Sequence, residues 1–102
     1  MWYNNSVVNE VIYEWSEEKR QEVLAARKLD MVILAPKVFA DPNVIIELDM
    51  RQDYGEERFL AYALVEGTRL CLCFTPRNGK IHLIMIFKMH KKPWEAHYGK
   101  VD

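Results

Sequence analysis

Five short stretches of mainly hydrophobic residues recur along the chain, separated by polar and turn-forming residues. These stretches are rich in β-branched and aromatic residues, which is typical of strands. They cover residues 11–15, 44–49, 58–65, 70–75 and 80–87. The sequence Pro-Arg-Asn-Gly at residues 76–79 separates the last two, and its Asn-Gly pair accepts positive φ readily. The pattern therefore predicts a hairpin at residues 76–79.

Helix-forming residues fill the segments before and after these strands. Ser16 is a good N-cap for a helix over residues 16–27, because the two glutamates that follow it favour the positive end of the helix dipole. Asp30 caps a second helix over residues 31–34, and Pro36 is expected to break or kink it. A third helix is predicted over residues 91–98.

The order of these elements is strand, two helices, a meander of four strands and a final helix. Grouped helices around consecutive antiparallel strands predict an α+β fold. We expect N-terminal helices, a four-stranded and mainly antiparallel sheet, and a C-terminal helix. Residues 1–12 are predicted to be an N-terminal arm or extra strand, and residues 13–102 a single domain.

Alternation also assigns the two faces of the last strand. Ile81, Leu83, Met85 and Phe87 are predicted to share one face, and His82, Ile84, Ile86 and Lys88 the other. Both faces are apolar. The second face is therefore expected to be partly buried, for example by a partner.

Composition supports a folded protein of one domain. The 102 residues are 50% hydrophobic and 28% charged, which is ordinary for a globular chain and wrong for a disordered one. No apolar run reaches the length of a membrane span, and residues 1–10 do not resemble a secretory signal. Cys71 and Cys73 are spaced as neighbours on one strand face, not as a relaxed disulfide. These features predict a cytoplasmic protein.

Charge is unevenly distributed although the net charge is only -1. Residues 1–75 carry 8 Lys and Arg against 13 Asp and Glu, whereas residues 76–102 carry 6 against 2. A solvated basic tail explains this asymmetry, and so does a patch for phosphates or an acidic partner.

No single residue identifies an enzyme. His82 is the one histidine inside a predicted strand, and a structural role is more common for such a residue than a catalytic one. Cys71 and Cys73 lack the further ligands of a zinc site and fit small core residues better. Lys19 and Arg58 are each explained by ordinary surface contacts. Gly-rich phosphate loops and nucleophile elbows are absent from the sequence.

Four short motifs in order carry more information than any of these residues. They are residues 13–19 (YEWSEEK), 38–42 (VFADP), 53–59 (DYGEERF) and 74–77 (FTPR) with Gly79 and Ile81. Their order and spacing resemble the BrnT family of type II toxins, over about residues 13–98.

The resemblance implies a fold like that of RelE-type ribonucleases and sequence-tolerant RNA cleavage that stops translation. It also implies a BrnA-like antitoxin that binds DNA as a ribbon-helix-helix dimer. Neither a cofactor nor a metal is expected. RNA carries its own nucleophile, the 2′-hydroxyl, so the protein needs a base, an acid and cations for the developing phosphorane charge.

Carried over by position, the resemblance assigns Lys19 and Arg58 to phosphate binding. His82 and Phe87 occupy positions where the family has arginines, with Lys88 beside the second. The family's Asn, Lys, His and Gly after the first helix are absent at residues 23–28, and Met85 replaces a serine.

We assign His82 as general acid or base and Lys88 as a second charge stabiliser. Arg77, Lys91 and Lys92 are assigned to RNA binding. Either His82 and Lys88 replace the lost arginines, or catalysis is lost and the chain is a binding module that pairs with an antitoxin or with itself. A homodimer would use the apolar second face, and a chance match to an unrelated α+β protein is the remaining alternative.

Overall fold

The structure is a computed structural model that describes residues 11–99. The predicted arm at residues 1–10 lies outside the described residues. The elements are β1 (Tyr13–Trp15), α1 (Glu17–Arg27), α2 (Met31–Ala40), β2 (Ile45–Leu48), β3 (Phe59–Val65), β4 (Thr68–Arg77), β5 (Lys80–Lys88) and α3 (Lys91–Glu95). No helix among the described residues is long and apolar enough to cross a membrane.

Five strands form one sheet in the order β1-β5-β4-β3-β2. The meander from β2 to β5 is antiparallel throughout, as predicted. The sheet has one strand more than the expected four, because β1 pairs in parallel with β5 and places Tyr13 opposite Ile81. The α+β class is confirmed.

The β4–β5 hairpin is closed by the turn that its sequence predicts. Arg77 pairs with Lys80, and Asn78 and Gly79 between them have φ of 51° and 77°. Two consecutive positive φ values are the geometry of a two-residue type I′ turn, which the twist of paired strands favours. Pro76 and Arg77, predicted in the turn, belong to β4 instead.

Helix α1 begins and ends where its sequence indicates. The Ser16 side chain accepts a hydrogen bond of 3.2 Å from the backbone N–H of Lys19. At the other end, Lys28 has a positive φ of 61° and its N–H donates to the carbonyl of Leu24. Both contacts satisfy backbone groups that a helix end leaves open.

Helix α2 is longer than predicted. It is capped by Asp30 as expected but continues through Pro36 to Ala40, so the predicted break is wrong. Pro36 has no N–H to donate to the carbonyl four residues earlier. Tertiary packing outweighs that loss, since Met31, Ala35 and Val38 are fully buried against the sheet.

The face of the sheet that α1 and α2 cover is called the first face. Leu72, Leu83 and Ile86 are buried there against Val23 of α1 and Val38 of α2. Phe39 contacts Phe74 edge to face at 5.1 Å between ring centroids. This layer is the main core, and it includes Val38 with Phe39 packed against it.

The opposite, second face is partly covered by the chain's own C-terminal segment. Trp94 of α3 is buried against Tyr62, Cys71 and Cys73, and Tyr98 packs on the same cluster. Both cysteines are free thiols, which confirms that they are small core residues. The predicted burial of this face is correct, and α3 supplies part of it.

The C-terminal segment is also held by polar contacts. The Tyr98 hydroxyl donates a hydrogen bond of 2.8 Å to Asp41, and His97 Nδ1 lies 2.8 Å from a Glu47 carboxylate oxygen. The His97 ring stacks on Tyr62 at 4.3 Å.

A bulge in β5 overturns the predicted faces of its second half. Cys73 pairs with Met85 and Phe74 pairs with Leu83, so Ile84 is an extra residue between them. One extra residue exchanges the faces of everything that follows. Ile86 consequently joins the first-face core, and Phe87 joins the second-face cluster.

The bulge coincides with the end of β1. Trp15 pairs with Leu83, and among residues 11–99 no strand continues beside the rest of β5. Helix α1 starts at Glu17 and packs along this edge. Side chains of α1 can therefore reach around the edge toward the second face.

Candidate active site

A cleft of about 280 Å³ lies on the half of the second face that α3 does not cover, here called the open half. Its lining residues come from α1, the loop between β2 and β3, and strands β4 and β5. They are Lys19, Arg27, Arg51, Arg58, Cys73, Ile84, Met85 and Phe87. Four of these eight side chains are cationic, and the other four are apolar or weakly polar.

Two of the cations come from one side of α1. Lys19, Val23 and Arg27 are spaced by four residues, which places them along one stripe of the helix. Val23 is 3% exposed and anchors that stripe in the core. Lys19 and Arg27 extend from either side of this anchor into the cleft, and they also line an adjoining depression with Met85.

Arg27 is positioned by an aromatic ring of β5. Its guanidinium lies 5.7 Å from the centre of the Phe87 ring, within the range of a cation–π contact. Phe87 has this orientation because the bulge at Ile84 turns it to the second face.

The other two cations come from the loop between β2 and β3. Arg51 is held by a buried carboxylate, with its Nε 2.8 Å and its Nη2 2.7 Å from the two oxygens of Asp49. The Asp49 side chain is fully buried and also accepts a hydrogen bond of 3.1 Å from the Tyr54 hydroxyl. The Arg51 hydrogen bonds are the largest cause that lowers the pKa of Asp49 to about 2.

Arg58 is at the end of the same loop, directly before β3, and lies over the Tyr54 ring. Its guanidinium is 4.3 Å from the centre of the Tyr54 ring, and its Nε donates to Glu56 at 3.2 Å. Glu56 also accepts three hydrogen bonds from Arg77, and these are the main reason why its pKa is lowered. Glu56 thus stays ionised between two arginines.

Cys73 is the one thiol of the cleft. It is 3% exposed, and burial raises its pKa above the ordinary value. A thiol whose pKa is raised in this way is a poor nucleophile and a poor proton donor at neutral pH. Cys73 therefore contributes to the wall of the cleft and not to its chemistry.

The structure brings together two of the seven predicted site residues. Lys19 and Arg58 both line the cleft. Arg77 contacts it indirectly through Glu56. Lys88 is exposed at the end of β5, and Lys91 and Lys92 are exposed on α3.

His82 is close to the cleft without lining it. It lies on β5 two residues before Ile84, with its side chain 21% exposed. Its Nδ1 is 3.3 Å from a carboxylate oxygen of Glu14, the residue opposite it on β1. This contact orients the ring and leaves Nε2 for another partner.

Two cleft residues escaped the sequence analysis. Arg27 follows Lys19 by eight residues, so helical spacing was a usable signal that it shares the face of Lys19. Arg51 lies in an irregular loop, where no periodicity indicates which way a side chain points. Only the contact with Asp49 shows that Arg51 faces the cleft.

These contacts describe a site for an anion. Four cationic side chains surround an apolar surface that lowers the local dielectric and strengthens their attraction for negative charge. Arginine forks match the geometry of phosphate oxygens, and both Arg51 and Arg58 are held in place by neighbours before any ligand arrives.

Comparison with known families agrees with this reading of the cleft. A family model described as "Ribonuclease toxin, BrnT, of type II toxin-antitoxin system" matches residues 15–93. The chain belongs to the BrnT family. The suspected resemblance is therefore confirmed, and the matched range contains all eight residues of the cleft. A search of curated proteins finds no significant match.

Membership makes this BrnT chain a relative of ribonuclease toxins that act within type II toxin–antitoxin systems. It confirms the predicted family of ribonuclease toxins. The family implies an RNA substrate and an antitoxin partner, while the roles of individual residues stay predictions.

Proposed function

We propose that this chain is a RelE-like endoribonuclease that inhibits translation by cleaving RNA in the cationic cleft. The observation that carries the proposal is the convergence of Lys19, Arg27, Arg51 and Arg58 on the open half of the sheet. One phosphodiester group and its neighbours fit such a site by charge and by hydrogen-bond geometry.

The reaction needs little beyond positioning and charge. The RNA 2′-hydroxyl attacks the adjacent phosphorus, the 5′-oxygen of the next nucleotide leaves, and negative charge grows on the phosphate oxygens between these events. We assign stabilisation of this charge to Lys19 and Arg58, as predicted, and add Arg27 and Arg51. Preorganised cations of this kind are a major source of rate enhancement.

Proton transfer is assigned to His82. Its Nδ1 faces Glu14, so Nε2 is the nitrogen that would exchange a proton with the 2′-hydroxyl or the leaving oxygen. An RNA strand that extends from the cleft along β5 would bring its reacting atoms toward this ring.

The remaining predicted residues would act on the flanking strand. Lys88, which the bulge places on the first-face side of β5, is proposed to stabilise charge on a flanking phosphate at that end of the strand. Arg77, Lys91 and Lys92 are proposed to contact neighbouring phosphates. Their exposure suits such contacts, which orient a strand without reading its sequence.

The test is cleavage of RNA by the purified protein. Arg58→Ala and Lys19→Ala are expected to lower the single-turnover rate about 10²–10³-fold, the usual cost of removing one donor to a developing oxyanion. His82→Ala should cost about 10²–10⁴-fold, as loss of a general acid or base does.

Lys37→Ala is the matched control, because Lys37 is an exposed lysine of α2 that pairs with Glu66 away from the cleft. It should retain the wild-type rate. Undiminished cleavage by both Arg58→Ala and His82→Ala would remove these role assignments.

A second candidate function is RNA binding without cleavage. It is favoured by the lining of the cleft, in which the described residues include no histidine and no carboxylate. Such a protein would be a diverged member that still pairs with an antitoxin or itself. Growth after induced expression separates the two candidates: toxicity that Arg58→Ala abolishes supports the ribonuclease, whereas harmless wild-type protein that binds RNA without cutting it supports the binding module.

The proposed partner is a BrnA-like ribbon-helix-helix antitoxin. Residues 13–102 are proposed to form a single domain, and the protein is proposed to act in the cytoplasm. A homodimer is a further proposal. The sequence predicted its contact on the second face, whereas the exposed apolar side chains favour the edge strand β2. There Ile46 and Leu48 pair with first-face residues of β3 and are 48% and 41% exposed, and Met50 beyond them is 79% exposed. Co-purification with the antitoxin and the mass at micromolar concentration test these assignments.

A further inference from the structure

Asp49 has an unusual environment for an acidic residue beside an RNA-binding cleft. Its side chain is fully buried, while the side chain of its partner Arg51 remains 59% exposed and lines the cleft. A negative charge at this place weakens the attraction of RNA to the cleft.

Asp49 makes four side-chain hydrogen bonds. Its carboxylate accepts two from the Arg51 guanidinium, one of 3.1 Å from the Arg51 backbone N–H, and one of 3.1 Å from the Tyr54 hydroxyl. The Asp49 backbone N–H donates to the Arg58 carbonyl at 2.7 Å. Asp49 thereby ties both loop arginines of the cleft to the start of β3.

Tyr54 extends the same unit. Its hydroxyl is held by Asp49, and its ring lies beneath the Arg58 guanidinium at 4.3 Å. One buried carboxylate therefore holds Arg51 directly and Arg58 through Tyr54, in addition to the contact of Arg58 with Glu56.

Arg51 keeps donors for a ligand despite this pairing. A guanidinium has five N–H groups, and Asp49 takes the Nε–H and one Nη2–H. Three N–H groups remain, in a plane that the carboxylate fixes. The pair carries no net charge, so it offers directed hydrogen bonds instead of long-range attraction.

We propose that Asp49 is a positioning residue of the site: it holds Arg51 directly, and Arg58 through Tyr54, in the orientation that stabilises the transition state of RNA cleavage. The inference rests on the proposed function. A surface cation usually both attracts RNA and donates hydrogen bonds to it. Asp49 weakens the electrostatic attraction while it aligns the donors that act on the phosphate.

The test substitutions are Asp49→Asn and its matched control Asp30→Asn. Asp30 makes an equivalent two-oxygen contact with Arg20, at 3.0 and 2.7 Å, between α1 and α2 and outside the cleft. Asp49→Asn is expected to lower kcat at least 10-fold without raising KM at low salt. Asp30→Asn should leave both constants at their wild-type values while it lowers stability.

Salt dependence gives a second readout. Removing the Asp49 charge should make the slope of log affinity against log salt steeper by about 0.7, the value for one additional phosphate contact on a single strand. A role confined to folding would change neither this slope nor the ratio of kcat to KM in the folded fraction.

A readout without cleavage keeps the inference separate from the proposed function. The Arg51 Nε–H resonance should exchange slowly with solvent in the wild type and rapidly in Asp49→Asn, whether or not the protein cuts RNA. A wild type that fails to cleave would reject the proposed function and leave this result standing.

If Asp49→Asn does not fold, Arg51→Lys replaces it, since this exposed side chain keeps its charge and loses the fork. It should lower kcat by the same factor. A folded Asp49→Asn or Arg51→Lys protein with wild-type kcat would overturn the proposal, and so would slow Arg51 Nε–H exchange in Asp49→Asn.

Discussion

The two faces of the sheet differ in how completely they are covered. On the first face, α1 and α2 bury a continuous apolar layer that includes Leu72 and Ile86, both at 0% exposure. On the second face, the short α3 covers one half with Trp94, and the other half is the cationic cleft. One face stabilises the fold, whereas the other divides its area between stability and binding.

This difference explains why the second face has so mixed a composition. Its strands are apolar because α3 packs on part of them, and the apolar surface continues into the cleft as Ile84 and Phe87. Cations supplied by α1 and by the β2–β3 loop then surround that surface. The proposed RNA substrate would cover the area that the chain leaves open.

The largest expected effect is on the free energy of unfolding, when a large apolar side chain is truncated to alanine on each face. Leu72→Ala should lower the free energy of unfolding by about 2–5 kcal/mol, because it leaves a cavity in the closed layer. Ile84→Ala, in the partly exposed wall of the cleft, should cost roughly 1 kcal/mol since less apolar area leaves water there.

Urea unfolding of both variants measures this contrast. Equal losses would show that the open half contributes to the core as strongly as the first face does.

The next effect is on stability in acid, and it concerns Asp49, whose partner Arg51 lines the cleft on the open half. Asp49 has a pKa of about 2 in the folded protein against an ordinary value of 3.8. As pH falls, the unfolded chain therefore binds this proton first. The stabilising contribution of Asp49, about 2 kcal/mol from a shift of this size, is complete above pH 3.8 and is lost as pH falls toward 2.

Unfolding experiments from pH 5 to pH 2 check this sign. Asp49→Asn should lose less stability than the wild type over that interval, because its amide does not titrate. Parallel pH profiles for the two proteins would contradict the assigned cause.

The smallest effect concerns the covered half of the second face. Tyr98→Phe removes the hydrogen bond to Asp41 and should lower the free energy of unfolding by about 1 kcal/mol. Asp41 keeps its bonds from the backbone N–H groups of Asn43 and Leu64. RNA cleavage should be unchanged, and a lower rate at full folding would show that the two halves of this face are coupled.

Local chemistry made much of the fold predictable. Ser16, Asp30 and the Asn78-Gly79 pair act through neighbours in the chain, so their caps and turn follow from sequence. Pro36 was misjudged because burial of α2 outweighs a local cost. The faces of β5 were misjudged after Ile84, since a bulge depends on where the neighbouring strands pair.

For the site, the family motifs placed Lys19 and Arg58, and the structure brings both to one cleft. His82 and Lys88 were taken from the same strand by position, and they lie outside that cleft. The bulge at Ile84 also places His82 and Lys88 on opposite faces of the sheet, although strict alternation predicts one face for both.

The sequence by itself determined the class of fold, the ends of the first helix, the hairpin and the family, because each rests on local conformation or on motifs in order. Tertiary structure alone decided which cations meet. Lys19 and Arg27 of α1 meet Arg51 and Arg58 of the β2–β3 loop across the cleft, and the buried Asp49 pairs with Arg51 there. The meeting of the α1 cations with the loop arginines joins residues of different elements, so no local pattern along the chain contains it.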